Sequence, residues 1–182
     1  MIKNISILLL AILICGCSTT KKSIVSDSLD AIPVITGSVV NQAAFQKGGS
    51  LVLGTFQPGS GAAADDETDQ LSSMIIKGIN ETLPGDHTHF SVSDDPKDSD
   101  CVLEGFIETY GSDPKASHMK LRKDQTFLSV DGDIWLRMTG EKIFLFQTSM
   151  VIDLKSQNPN TVAYQIGQAV AHYIGSQNID GK

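Results

Sequence analysis

Two carboxylates stand at a spacing that could support acid–base chemistry. Asp131 and Asp133 lie two residues apart in a stretch where polar and apolar residues alternate. On a β-strand such residues share one face and lie about 6.6 Å apart, twice the rise of about 3.3 Å per residue. That separation would suit a general acid and base, but carboxylates on an exposed strand are usually only solvated. We therefore expect no catalytic residue and no enzyme.

The histidines and the acidic turn of the chain are weak candidates for metal ligands. His87 and His89 share one face of a strand-like stretch and follow Asp86. A zinc site, however, needs three or four converging ligands, and the other two histidines lie far away in sequence. The turn at 94–100 holds four aspartates but has neither the spacing nor the glycine of an EF-hand. We expect no metal and no cofactor.

The first 17 residues carry the strongest functional signal. Lys3 precedes a mostly apolar run from Ile5 to Ile14, which is much shorter than the roughly 20 residues of a membrane-spanning helix. The run leads directly into Ile-Cys-Gly-Cys at 14–17. This tetrapeptide resembles the lipobox of bacterial lipoproteins. The resemblance implies cleavage before Cys17 and acylation of its thiol and amino groups, with palmitate among the acyl chains.

Processing of this kind would determine where the protein resides. Residues 1–16 would be a lipoprotein signal peptide, and two or three acyl chains on Cys17 would form a stable membrane anchor. Ser18, rather than an aspartate, follows Cys17, and the sorting rule of enteric bacteria then implies the outer membrane, with the protein facing the periplasm. An uncleaved signal anchor is the alternative.

Lipidation of Cys17 would leave Cys101 as the one cysteine of the mature chain, so no intramolecular disulfide could form. Cys101 begins an apolar strand, and we expect its thiol to be buried as a small hydrophobic group. The net charge of −7 disfavours nucleic acid as a partner, because phosphate binding requires clustered lysines and arginines.

Hydrophobic periodicity predicts one folded domain at 50–176, between a lipid-anchored tether at 17–49 and a tail at 177–182. The domain would contain a strand at 51–56, a helix that begins near Asp65 and ends at Pro84-Gly85, and a short strand at 89–93. A strand at 101–110, a long hairpin at 126–154 and a closing helix that ends at Gly175 would complete it.

The register of the hairpin follows from its alternation. Even positions are mostly apolar in both strands, so a two-residue loop would turn one apolar set towards solvent. A three-residue loop at 139–141, with positive φ at Gly140 or its neighbour, pairs Leu136 with Phe144, Ile134 with Phe146 and Val130 with Met150. We expect a bend or bulge at Gly132. The apolar face should pack on the helices, although a hairpin inserted into a membrane would show the same alternation.

This order of elements predicts an α+β fold: a mixed sheet with a long C-terminal β-hairpin and two helices packed on one face. The stretch Asp-Cys-Val-Leu-Glu-Gly-Phe-Ile at 100–107, followed by a hairpin with Thr139-Gly140 at its turn, resembles envelope lipoproteins with a TolB-N or anticodon-binding-like domain. That group includes the curli secretion lipoprotein CsgG and the polysaccharide export lipoprotein PelC, and more loosely the lipopolysaccharide-assembly lipoprotein LptE.

The resemblance implies a function in binding rather than catalysis. We expect an accessory or structural subunit of a bacterial cell-envelope export, secretion or assembly machine, which contacts other envelope proteins and forms a homo-oligomer. The alternative is a tethered periplasmic regulator that binds and activates a cell-envelope enzyme.

Overall fold

The computed structural model describes residues 33–86, 88–112 and 120–177. The predicted signal peptide, Cys17, His87 and almost all of the predicted tail lie outside these residues. The elements are β1 (Val34–Val39), α1 (Gln42–Lys47), β2 (Gly49–Gly61), α2 (Asp66–Thr82), β3 (Phe90–Val92), β4 (Cys101–Gly111), β5 (Gln125–Leu136), β6 (Lys142–Asp153) and α3 (Pro159–Ser176), with a 3₁₀ turn at Leu83–Gly85.

The strands form one mixed sheet in the order β1-β6-β5-β4-β2-β3. β2 runs parallel to both β3 and β4, and the other neighbours are antiparallel. The α+β fold class, the long β5–β6 hairpin and the packing of α2 and α3 on one face are as predicted. No helix in the described ranges has the length and apolar character required to cross a membrane.

Local sequence explains both long helices. Asp65 caps α2 by accepting a hydrogen bond from the Thr68 amide at 3.0 Å, and three acidic residues in the first turn complement the helix dipole. Asn158 caps α3 through the Asn160 amide at 2.9 Å. Gly175 is not the predicted C-cap, because α3 continues to Ser176.

Two glycines allow α2 and α3 to pack closely. A Cβ added to Gly78 would lie 2.2 Å from the carbonyl oxygen of Tyr164, and one added to Gly167 would lie 2.1 Å from that of Ile75. The helix backbones are therefore in direct contact at this crossing. Leu71, Ile75 and Ile79 of α2 are fully buried beside it.

The folded domain begins earlier than predicted. β1 pairs with β6 from Val34 opposite Ser149 to Val39 opposite Phe144. Phe45 of α1 is fully buried, and its ring centroid lies 5.3 Å from those of Phe90 and Phe144. The predicted tether at 17–49 and domain start at residue 50 are thus wrong for residues 34–49. The centre of β1 is polar and therefore did not indicate a strand, although Ile35 and Val39 on either side of it pack on the core.

The predicted hairpin faces are correct, but the register is displaced by two residues. Ile134 pairs with Phe144, Gly132 with Phe146 and Leu128 with Met150. The displacement preserves the alternation, so the apolar set still faces the core and packs under the helices, as expected. Two features cause it: a longer connection at 137–141, and an extra residue in β6.

That extra residue forms a β-bulge at the turn end of the hairpin. Ile134 pairs with Phe144 while Trp135 pairs with Lys142, so Ile143 has no partner of its own in β5. Ile143 is nevertheless fully buried, which explains why an apolar residue stands at an odd position. Gly140 has φ 71°, in agreement with the predicted positive φ. No bulge occurs at Gly132, since pairing is regular there, and the predicted bend stays a prediction.

Candidate binding groove on the open face of the sheet

The helices cover one face of the sheet and leave the other open. Apolar residues of β4, β5 and β6 are buried on the face that the helices cover. The alternate residues of these three strands project to the opposite side. We call that side the open face. Its central residues are Glu104 and Phe106 of β4, Asp131 and Asp133 of β5, and Leu145 and Gln147 of β6.

A groove of about 400 Å³ runs across this face. Its lining comes from the four strands β1, β6, β5 and β4. The side chains that line it include Thr36, Phe106, Asp131, Asp133, Lys142, Leu145 and Gln147.

Glycines in three strands support the groove from behind. Gly105 pairs with Gly132, and Gly132 and Gly37 both pair with Phe146. A Cβ on Gly132 would lie 2.6 Å from the ring of Phe146. The aromatic rings of the core therefore pack directly on the backbone, which fixes the strand segments that carry Asp131 and Phe106.

Asp131 is the most unusual side chain of the groove. It is partly buried, and its Oδ1 atom is inaccessible to solvent and has no hydrogen-bond partner among the described residues. Burial is the main cause that raises the pKa of Asp131, and the negative charges of Glu108 and Asp133 add to it. The groove thus holds a buried carboxyl oxygen without the hydrogen-bond donor, among the described residues, that such an atom normally has.

The neighbouring carboxylates have partners. Asp133 accepts a hydrogen bond from Lys142 Nζ, and this contact raises the pKa of Lys142. Glu104 Oε1 accepts from Trp135 Nε1 at 3.2 Å. Asp131 and Asp133 do line one groove, as their spacing predicted, but they have different surroundings: Asp133 pairs with Lys142, whereas Asp131 has a buried oxygen without a partner among the described residues.

Two apolar side chains flank the carboxylates. Phe106 pairs with Asp131 across β4 and β5, and Leu145 pairs with Asp133 across β5 and β6. Phe106 is 46 % exposed and Leu145 is 37 % exposed. Apolar walls beside an unpaired carboxyl suit a ligand group that presents a hydrogen-bond donor or positive charge on an apolar stem.

The other candidates of the sequence lie elsewhere. His172 Nδ1 is 3.0 Å from Asp86 on the helix side of the protein, and His89 accepts a backbone hydrogen bond from Gly49. In the part of the chain that the structure describes, no three side chains of metal-ligating type form a cluster, and no histidine lines the groove.

Two further candidates serve structural purposes. Cys101 is buried as predicted, and burial, with a contribution from Asp100, raises the pKa of its thiol to about 11. Asp100 accepts hydrogen bonds from the Ser50 amide and hydroxyl, each at 2.9 Å, and these bonds lower its pKa. This aspartate of the acidic turn thereby ties β2 to the start of β4.

Sequence reasoning missed Phe106 as a candidate binding residue. The signal was present, because Phe106 occupies the same register of β4 as Glu104 and Glu108. An aromatic residue in a polar register indicates an exposed apolar contact. The sequence contains no comparable indication for the unpaired oxygen of Asp131, because its hydrogen bonding depends on which donors the neighbouring strands place near it.

Comparison with known proteins is informative at the level of fold. No protein-family model matches the sequence, and no curated protein matches it. The dodecameric PelC of Paraburkholderia phytofirmans superposes with a TM-score of 0.51 and 11 % sequence identity, over 79 % of this chain and 97 % of PelC. The fold is PelC-like.

A second solved structure has the same degree of similarity. A DUF4136 family protein from Bacteroides thetaiotaomicron superposes with a TM-score of 0.51 and 8 % identity, over 84 % of this chain and all of the other. The predicted likeness to PelC is confirmed for the fold. The likeness to the curli and lipopolysaccharide-assembly lipoproteins stays a prediction.

Proposed function

We propose that this protein is a lipid-anchored accessory subunit of a bacterial cell-envelope export, secretion or assembly machine, and that it acts by binding proteins rather than by catalysis. The observation that carries the proposal is the groove on the open face, where a buried Asp131 oxygen without a partner among the described residues lies beside the exposed Phe106. The lipobox-like sequence at 14–17 and the PelC-like fold support the cellular context.

The groove favours a protein partner that presents a lysine or arginine side chain. The charged end of such a side chain would lie against the Asp131 carboxylate and neutralise its charge, and its apolar stem would pack on Phe106 or Leu145. A charge-assisted hydrogen bond in a partly desolvated groove is stronger than one on an open surface. Catalysis would require a second group poised on a substrate, and Asp133 is already engaged by Lys142.

The proposal includes self-association. PelC is a dodecamer, and we propose that copies of this chain likewise form a homo-oligomer with closed symmetry. Light scattering on the lipidated protein in detergent, and on a Cys17→Ala form, measures this directly. A discrete mass of several subunits in both samples is expected. A monomer in both samples would exclude the homo-oligomer and leave binding to other proteins.

A tethered regulator must reach its target enzyme from the membrane anchor. Residues 18–33 separate Cys17 from β1, and about 16 residues at about 3.4 Å each span at most about 55 Å. This is roughly half the length of the predicted tether. The earlier start of the domain therefore reduces the support for a regulator that must reach a distant enzyme.

Photo-crosslinking in the native envelope tests the binding function. A photoreactive amino acid replaces Phe106 in one variant and Lys77 in the other, since Lys77 lies on the exposed side of α2. Specific adducts with envelope proteins are expected from position 106 and not from position 77. Equal adduct patterns from both positions would contradict a binding role for the groove.

A further inference from the structure

The outer edge of β1 has no neighbouring strand among the described residues. In that part of the chain β1 is the first strand of the sheet, and it pairs with β6 alone. The Val40 amide donates to the Ile143 carbonyl at 2.9 Å, so even-numbered residues of this segment direct their backbone groups towards β6. Because these directions alternate in an antiparallel pair, Ile35, Gly37 and Val39 direct theirs outward.

One described side chain reaches this edge. Tyr173 Oη donates a hydrogen bond to the outward carbonyl oxygen of Gly37 at 3.1 Å, which agrees with the alternation. A carbonyl oxygen has two acceptor positions, so Gly37 can still accept a second bond. The outward amide groups of Ile35, Gly37 and Val39 are not engaged by Tyr173.

The edge lacks the usual protection against strand pairing. Residues 34–40 contain no charged side chain and no proline, although the chain has a net charge of −7. Edge strands are commonly guarded by lysines, prolines or bulges. Val34 and Val40, at the two ends of the segment, are 75 % and 55 % exposed.

The sequence of this edge is nearly symmetric about Gly37. Residues at equal distances on the two sides of Gly37 are similar. These pairs are Thr36 and Ser38, Ile35 and Val39, and Val34 and Val40. We propose that two copies of this chain associate by antiparallel pairing of their β1 edges about a two-fold axis at Gly37. This inference rests on the self-association included in the proposed function and names its contact surface.

The two-fold register satisfies the free backbone groups. It places Ile35 opposite Val39 of the second copy and Gly37 opposite its own counterpart. These are the residues whose backbone groups point outward, so they form the hydrogen-bonded pairs of the new ladder. The result is a continuous twelve-stranded sheet made from two six-stranded ones.

The same register matches the side chains. Val34 meets Val40 of the second copy on the open face, which covers the two exposed valines, and Thr36 meets Ser38. Apolar β-branched pairs and Thr–Ser pairs both stabilise antiparallel strands. The two strands bring no like charges together, because residues 34–40 carry no charged side chain. The net charge of −7 therefore causes no direct repulsion at this contact. A two-fold contact closes after two copies, and a larger assembly requires a second interface.

Charge variants on the open face of β1 test this contact. Thr36 and Ser38 are both exposed. In Thr36→Lys/Ser38→Lys, each introduced lysine opposes a lysine of the second copy. In the matched Thr36→Lys/Ser38→Glu, each lysine opposes a glutamate. Light scattering should show that the lysine pair reduces the wild-type mass to half or less, and that the lysine–glutamate pair retains it.

Three results would overturn the inference, and they differ from one another. A wild-type monomer would remove self-association and, with it, this contact. A wild-type oligomer whose mass survives in the double-lysine variant would exclude β1 while leaving self-association intact. Equal loss of mass in both variants would show that the loss does not come from repulsion between charges paired across β1. Unchanged thermal unfolding of both variants verifies that they are folded.

Cysteine crosslinking tests the register itself. In the Cys17→Ala background, Val34→Cys and Val40→Cys proteins are oxidised separately and as a mixture. Opposed residues of a non-hydrogen-bonded pair have Cα atoms about 4.5 Å apart, within the range of a disulfide. Like residues would be separated by about 20 Å along the strand. The mixture should crosslink several-fold more than either protein alone, and equal crosslinking by one variant alone would exclude this register.

Discussion

Phe106 and Asp131 pair across β4 and β5 on the open face, where an exposed aromatic ring lies beside a carboxyl oxygen that has no hydrogen-bond donor within the described ranges. Either feature alone would be unremarkable on a protein surface. Together they combine apolar contact area with an unmet demand for a hydrogen bond, and this combination distinguishes the groove from the rest of the sheet.

Asp131→Asn should stabilise the isolated domain at pH 7. The amide removes a charge that burial, Glu108 and Asp133 all disfavour. We expect a gain on the order of 1 kcal/mol or less, because the groove is open to solvent that screens these charges. Urea unfolding at pH 7 measures the gain. The same variant should crosslink less to partners at position 106.

The pH dependence of that gain gives a sharper test. A folded-state pKa above the unfolded value means that wild-type Asp131 disfavours folding at neutral pH and ceases to do so as it becomes protonated. The advantage of Asp131→Asn should therefore shrink as the pH falls towards about 4, the usual range of aspartate. Asp133→Asn is the control, because it removes the ion pair with Lys142 and should give no gain. A gain in stability that does not change with pH would contradict a raised pKa of Asp131.

Gly167→Ala should destabilise the protein strongly. The added methyl group would overlap the Ile75 carbonyl at the α2–α3 crossing, and overpacking of this kind costs typically about 1–3 kcal/mol. Gly85→Ala is a matched control, since a Cβ there would contact nothing within 4 Å. Thermal unfolding of the two variants compares them. Similar melting temperatures would show that the helices do not pack as closely as described.

Phe45→Ala tests the revised start of the domain. Phe45 is fully buried between Phe90 and Phe144, so its truncation should cost about 3–5 kcal/mol. Gln46→Ala, at an exposed position of the same helix, should change stability by less than about 0.5 kcal/mol. Urea unfolding of both variants is the measurement. If Phe45→Ala unfolds at the wild-type urea concentration, α1 does not belong to the core.

Cys17→Ala should abolish acylation of the protein. The thiol that would carry the lipid is lost. Labelling of cells with a palmitate analogue measures this loss. Cys15→Ala keeps a small residue within the lipobox-like tetrapeptide and should be labelled normally. Equal labelling of the Cys17→Ala protein would contradict lipidation at this residue.

Sequence reasoning was most accurate where one physical signal dominates. The apolar stripe of α2 and its acidic first turn predict a helix between Asp65 and Pro84, and the structure contains it. The alternation of β5 and β6 predicts the correct faces, because a shift by two residues leaves the parity unchanged. The exact register depends on the bulge at Ile143, and the sequence does not single it out, because Leu145 and Val151 are further apolar residues at odd positions of β6.

β1 was missed for a different reason. An edge strand buries only part of one face, so Thr36, Gly37 and Ser38 read as a polar linker. Its identity depends on β6, a partner more than one hundred residues away, as in the contact between Thr36 and Gln147. The unpaired state of Asp131 is equally non-local, because it depends on three strands at once.

The pairing of β1 with β6 also determines the order in which the sheet can be completed. Val34 pairs with Ser149, so the strand nearest the predicted lipid anchor has no partner until almost the whole chain is available. Closing so long a loop adds an entropic cost before any contact repays it. We therefore expect β1 to join the sheet late in folding, so that its outer edge forms only after most of the sheet is complete.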